Sequence, residues 1–381
     1  MEQMSGPELV AMVQRVFQPR PGERALAILV DLPDTKVPDD PAWVERRAIA
    51  AAWVEALCAH RAELGLDAHL VVYPNVHTNN GELPERAWLH AGGPLPSVEF
   101  LATEASISFA DLYASHPILI AITKFSATAP LKLAAKKHPI RAATMPGFCA
   151  DMIPALRLDY TEVNRRVEFL KDLLDQAECA DFRFATPEGF CNLHLDLRHR
   201  TGHASGGLLP NPGVAGNLPS GEAYIVPYEG EREGDPSRTA GVMPVQFGAE
   251  IVRYRIVQNR AIEVLSEGPQ SRAEAALLAR EPAYGNLAEL GLGVLAAFGV
   301  KPIGEILLDE KLGLHLAFGR SDHFGGQVGP AHFSGPEAVI HIDRVYVPET
   351  QPDVKILSVD LELLDGSTVA LMRNGEYAVG F

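Results

Sequence analysis

Short, mostly apolar runs alternate with helical periodicity through the first half of the chain, and after Ala180 they give way to apolar–polar alternation. Residues 25–30, 69–73, 117–122 and 140–144 have the length and content of buried strands. Between them, residues 42–64 carry an Ala-rich amphipathic pattern, and residues 160–176 place Leu170, Leu173 and Leu174 at helical spacing. Strands alternating with helices predict a parallel sheet covered on its faces. Residues 182–184, 192–197, 223–226 and 250–256 instead alternate residue by residue, separated by Gly/Pro-rich loops such as 202–216. That grammar predicts antiparallel sheet in a barrel-like or sandwich-like second domain. The expected architecture is an α/β domain with a parallel sheet over residues 1–180. A β-rich (α+β) C-terminal domain follows over residues 181–381. No glycine fingerprint follows the first strand, so nothing supports a dinucleotide site.

A chain of 381 residues can bury two cores, and its 47% hydrophobic and 22% charged content is that of a globular protein. The net charge of -16, with no Lys/Arg-rich block, argues against a nucleic-acid partner and leaves a peptide or small molecule as the expected substrate. Cys58, Cys149, Cys179 and Cys191 form no CxxC pair, which reads as reduced thiols. The N-terminal segment lacks the apolar core of a signal peptide, and the apolar runs are too short to span a membrane. The expectation is a soluble cytoplasmic protein.

Chemistry concentrates in the second half. His315 stands inside the apolar run Leu314-His315-Leu316-Ala317-Phe318-Gly319. His341 and Asp343 alternate with Ile340 and Ile342. Residues two apart in a strand share a face, so His341 and Asp343 should point together. Glu222 opens a strand after the turn Pro219-Ser220-Gly221, and Glu289 is the single charge in a glycine-framed apolar stretch from Tyr284 to Gly293. Ionisable groups in such settings need a compensating cation. Three carboxylates and two imidazoles could hold one or two divalent ions, and zinc, cobalt and manganese all accept this mixed O/N set.

The run from Asn217 to Asp343 resembles the thermophilic metallo-aminopeptidases of the aminopeptidase T and S type. The resemblance rests on four segments in order: Pro219 to Glu222, Asn286 to Glu289, His315 to Gly319, and His341 to Asp343. It implies a two-metal site of Glu222, Glu289, His315, His341 and Asp343 in a C-terminal domain, in a homodimer with enclosed active sites. The implied activity is that of a metalloprotease: a metal-bound hydroxide attacks a scissile amide carbonyl and releases N-terminal residues. Glu222 or Glu289 would be the general base, a choice the sequence leaves open. One departure stands out. The family has a tyrosine seven residues after its first histidine; here that position is Asp322, no tyrosine lies nearby in the chain, and Asp322 or His323 would have to fill the space. His323 therefore joins the catalytic candidates.

A second resemblance is to the 2,5-dihydroxypyridine 5,6-dioxygenases, which implies one Fe(II) held by two His and one Asp. Their final His-x-Asp corresponds to His341 and Asp343, but their other His falls at Glu289. Retention of Glu222 and Glu289 favours the hydrolytic set. Blander readings set the scale: a core histidine for His315, loop-capping carboxylates for Glu222 and Glu289, a binding protein on a retained scaffold for the whole. His194-Leu195-Asp196 has the same spacing as His341 and Asp343 but matches no ligand position, and is read as a surface-edge strand. Gly291 and Gly293 are expected to let backbone pass close to the ligands. His332 is read as a loop residue, Tyr346 as structural, and His199, Arg200 and His203 as a mobile or interface segment.

Overall fold

The computed structural model describes residues 2–103 and 105–381. Two compact units emerge. The first comprises Met1–Asn164 and Gly207–Ser220, the second Arg165–Gly206 and Gly221–Phe381.

The first unit is built on a mixed seven-stranded sheet. Ala25–Leu32 pairs in parallel with Asp67–Pro74 on one side and Ile118–Ala121 on the other; Arg141–Thr144 extends the sheet in parallel. All eight residues of Ala25–Leu32 are buried, as expected of a central parallel strand covered on both faces. The predicted long helix is present as Pro41–Ala59, capped by the Asp40 side chain, with a separate turn at Arg61–Leu64. An additional N-terminal helix, Gly6–Phe17, begins at a Ser5/Glu8 capping box and buries Leu9, Val13, Val16 and Phe17.

The single boundary expected near residue 180 does not match these units. The first break falls at 164/165, within the helix Tyr160–Gln176, and the chain later returns to the first unit. The reason is a strand in the Gly/Pro-rich loop: Val214–Asn217 adds in parallel to Arg141–Thr144 at the sheet edge. Four residues with two small side chains carry too little pattern to mark a strand. At the other edge Arg86–His90 and Ala105–Ser108 pair antiparallel.

The second unit contains an eight-stranded and a five-stranded sheet, both antiparallel throughout. Rings join them face to face: Tyr254 of the larger sheet lies 5.0 Å from Phe318 of the smaller, centroid to centroid. Tyr346, expected to be structural, donates from its hydroxyl to the Pro244 carbonyl at 2.8 Å. The expected β-rich, antiparallel second unit is thus present. His194 and Asp196 do not lie on an edge strand. Gly189–Asp196 runs between Ala177–Thr186 and Ala240–Phe247, so its ladder is occupied on both sides. His203 and Arg200 are held in place: His203 belongs to the strand His203–Ser205, and the Arg200 guanidinium pairs with Glu231 at 2.5 Å. Among the described residues no helix is long and apolar enough to cross a membrane.

In the first unit, the fully buried guanidinium of Arg141 pairs with Glu23 at 2.5 Å. Glu23→Ala would leave that charge buried without its partner, a change that costs about 3–5 kcal/mol. Urea unfolding should show a correspondingly lower midpoint; an unchanged midpoint would show that the pair does not anchor the unit.

Candidate metal centre

The five-stranded sheet orders its strands as His341–Val345, Leu314–Gly319, Leu287–Gly293, Glu222–Ile225 and His203–Ser205. Its two faces are chemically opposite. Register pairs Leu290 with Leu316, Leu292 with Leu314, and Phe318 with Ile342, which makes one face apolar. On the other face Glu289 aligns with Ala317 and Ala317 with Asp343; Tyr224 aligns with Gly291 and Gly291 with His315; Gly319 aligns with His341. Glu222, two residues before Tyr224, shares this face and sits opposite Gly293. All five expected ligands therefore project from one side of one sheet, and Ile342 takes the other side as predicted.

Small residues make the gathering possible. A Cβ on Gly291 would lie 1.9 Å from His315 Nε2, so the imidazole lies across a position that must have no side chain. A Cβ on Gly293 would meet the Lys311 backbone at 2.3 Å. Their expected role, close passage of backbone, is what the geometry requires. Next to Glu289 the ladder slips by one residue between Leu287 and Glu289, a bulge of the kind that re-aims a side chain at a site.

Two groups of donor atoms result, each within 4.8 Å: Glu222, Glu289 and His315; and Glu289, His341 and Asp343. Glu289 belongs to both. Its Oε1 lies 3.5 Å from His315 Nε2 and its Oε2 lies 3.1 Å from His341 Nε2. His341 Nε2 is also 3.4 Å from Asp343 Oδ1, and His315 Nε2 is 3.5 Å from Glu222 Oε2. Each imidazole turns its other nitrogen to a backbone carbonyl: His341 Nδ1 to Arg320 at 2.8 Å, and His315 Nδ1 to Gly313 at 3.4 Å. An N–H at Nδ1 leaves Nε2 as the lone-pair donor, the tautomer that binds a metal.

The electrostatics are those of a crowded anionic site. Burial favours the neutral form of Glu289, but the imidazoles of His315 and His341 close beside it hold its carboxyl far below the usual range. Burial likewise opposes the charged form of His315, yet Glu289 and Glu222 push it up to about 9, and His341 is raised by Asp343 and Glu289. Glu222 Oε2 and His315 Nε2 are both buried without a hydrogen-bond partner. Two facing donor atoms left unpaired in this way, within an O/N set, fit a divalent cation.

The sequence reading missed a residue pair at this site. Lys311 is fully buried, and its ammonium lies 2.5 Å from Glu222 Oε1 and contacts Glu310 as well. Burial, reinforced by Glu222 and Asp343, pushes the Glu310 carboxyl up to about 8 despite Lys311. The signal was present: Glu310 and Lys311 stand just before the His315 strand. Surface charge was the simpler interpretation. Tyr224 was missed because it lies far in sequence from Asp322, although its spacing from Glu222 places it on the ligand face.

His323 does not belong to either donor group. Its ring stacks on Phe324 at 3.8 Å and stands 5.5 Å from His341, with burial and the neighbouring His341 charge holding it down to about 4. Asp322, at the position of the expected tyrosine, accepts from Arg320 Nε at 2.5 Å. This loop is tied by Glu229, which accepts from Ser321 Oγ at 2.5 Å and from Asn286 at 2.7 Å. His332 hydrogen-bonds Gly329 in its own turn. In the second His-x-Asp, His194 pairs with Asp181 at 2.9 Å and Asp196 with Arg198 at 2.8 Å. Cys179, Asp181 and His194 do cluster within 4.8 Å, on the polar side of the large sheet, away from the five expected ligands. A cavity of about 700 Å³ in this unit is lined by Lys301, Leu312, Gly313 and Tyr346, and by none of those five.

No protein-family model matches the chain, and no curated protein matches it by sequence. Solved structures do match in fold. A 2,5-dihydroxypyridine dioxygenase from Pseudomonas putida KT2440 aligns at TM-score 0.60 and 15% identity over 99% of both chains. Wild-type AmpT from Thermus thermophilus aligns at TM-score 0.54 and 16% identity, covering 98% of this chain and 99% of that one. At these identities the likeness is one of fold.

Two outcomes test the centre. Gly291→Ala forces a methyl into the His315 ring; the variant should bind added divalent metal more weakly than the parent by calorimetry with circular dichroism unchanged, and equal affinity would refute the crowding. The second concerns pH. His315 at about 9 and Glu310 at about 8 both stand above their ordinary values, 6.5 and 4.5. Raised groups stabilise the metal-free fold at low pH and lose that contribution as pH climbs through the folded values. Metal-free protein should therefore melt lower at pH 9 than at pH 6. Metal binding, which needs deprotonated ligands, should raise the melting temperature more at pH 9. A metal-induced increment equal at both pH values would contradict this.

Proposed function

We propose that this chain is a metal-dependent hydrolase of the aminopeptidase type, releasing N-terminal residues from peptides or cleaving a related small amide. The observation that carries the reading is Glu289, one carboxylate shared by two donor groups, each completed by its own imidazole and a second carboxylate. Two neighbouring donor groups of this kind would suit the pair of ions that hydrolytic two-metal sites use. Glu222, Glu289, His315, His341 and Asp343 would hold the ions. Divalent metal bound there would acidify a water and polarise the scissile carbonyl.

The chain's own groups then divide the remaining work. Lys311 fixes Glu222 through Oε1, leaving Oε2 to face the centre. Glu222 and Glu289 are the two candidates for the general base that activates the water, and burial holds the Glu310 carboxyl beside Lys311 above the usual range. A peptide substrate and a homodimeric assembly belong to the same proposal.

The alternative is a non-haem Fe(II) ring-cleaving dioxygenase of the 2,5-dihydroxypyridine 5,6-dioxygenase type, favoured by the fold match at TM-score 0.60. Glu at 289 rather than His weighs against it, since a facial triad needs two imidazoles and one carboxylate around one ion. Elemental analysis of protein purified without chelators, paired with an aminoacyl-p-nitroanilide panel, separates the two. Two zinc, cobalt or manganese ions per chain with anilide turnover are expected. His341→Ala and Glu289→Gln should each lower turnover about a hundredfold or more in a folded protein. One iron per chain with oxygen uptake on 2,5-dihydroxypyridine would replace the hydrolase reading.

A further inference from the structure

Tyr224 has no assigned task, yet it stands on the ligand face of the sheet. It is two residues from Glu222 on the same strand, and its cross-strand neighbour is Gly291, which has no side chain. Beyond Gly291 comes His315, whose ring lies over the Gly291 position. Nothing therefore separates the tyrosine from the first donor group. Its ring is clamped on both sides: His203 stacks on it at 5.1 Å and 24°, and Phe324 meets it edge-on at 4.9 Å. His203 is itself fixed, with Nε2 3.0 Å from the Phe324 carbonyl.

The hydroxyl is another matter. Among the described residues no group donates to it or accepts from it, although the residue is half-buried and its strand neighbours are buried. Tyrosine hydroxyls in such positions ordinarily find a partner. A rigid ring with an uncommitted O–H beside the centre is preorganised for a group that arrives with the substrate. The other side chains near that space are poorly suited to the role. Asp322 is a carboxylate engaged by Arg320 and offers only acceptors; Glu222, Glu289 and Asp343 would repel developing negative charge.

We propose that Tyr224 is a catalytic residue whose phenolic O–H donates a hydrogen bond to the substrate carbonyl oxygen as negative charge develops there. This rests on the hydrolase reading. The O–H stays intact through the step, so the tyrosine contributes a dipole and transfers no proton. Since the charge exists only in the tetrahedral state, the bond should be stronger there than with the planar carbonyl, and it should appear in kcat rather than KM.

Tyr224→Phe retains the ring and both ring contacts and removes only the donor. Expected on an aminoacyl-p-nitroanilide is a fall in kcat of about 10²–10³-fold, with KM within about threefold. Metal content and melting temperature should match the parent protein. A second readout needs no turnover: an aminophosphonate dipeptide analogue, whose tetrahedral anion mimics the developing charge, should bind the metal-loaded variant about tenfold or more weakly by calorimetry. Equal phosphonate affinity in the two proteins would overturn the assignment of Tyr224, as would a variant with near-parental kcat. Weaker phosphonate binding by the variant, in a protein that turns over no anilide, would keep the hydrogen bond and remove the aminopeptidase reading instead.

Discussion

Negative charge buried on one sheet face is the constraint around which the second unit is arranged. Glu222, Glu289, Asp343 and Glu310 stand close enough for each to feel another, out of bulk water. Desolvated carboxylates at such spacing cannot all remain ionised without cations among them. The protein supplies one of these permanently, the Lys311 ammonium, and places it at one end against Glu222 and Glu310. Toward His341 and Asp343, among the described residues, no lysine or arginine pairs with the carboxylates, and the imidazoles are the groups there able to carry positive charge. The site is therefore asymmetric by construction, with a fixed ammonium at one end and imidazoles at the other.

That asymmetry depends on the sheet beneath it. Leucines and Phe318 on the back face pack against the larger sheet, so the strands carrying the ligands are held where side-chain repulsion alone would spread them. Glycine and alanine at Gly291, Gly293, Ala317 and Gly319 take up the positions between ligands. The arrangement alternates large donors with small spacers, and a methyl at Gly291 already exceeds the room available. Stability from the apolar face and space on the polar face come from the same two-residue period of the strand.

The same period explains how much was legible in the chain. His341, Asp343 and Ile342 announce their faces directly, because alternation is a local property and needs no partner strand. The convergence of Glu222, Glu289 and His315 is non-local, and only the order of four motifs hinted at it. Lys311 escaped notice for a physical reason: a lysine is buried only when its partners are, and Glu222 lies on a strand remote in sequence. Tyr224 escaped for the converse reason, since its role depends on what Gly291 lacks. In the first unit the parallel core strands were plain from their apolar runs. Val214–Asn217 was not, because its four residues draw their order from the neighbouring strand rather than from burial of large side chains.

The detour of residues 207–220 has a consequence for how the protein is made. The strand Arg141–Thr144 emerges from the ribosome long before Val214–Asn217 can cover its open edge, on the order of several seconds at ordinary elongation rates. During that interval the nascent first unit presents an unpaired parallel edge, the kind of surface that invites association with other chains. Neither unit is a continuous stretch of the polypeptide, so neither can be liberated by a single proteolytic cut. The strand beginning at Glu222 follows directly after that late-arriving piece, so chain order places the first carboxylate of the donor face behind completion of the first unit's sheet.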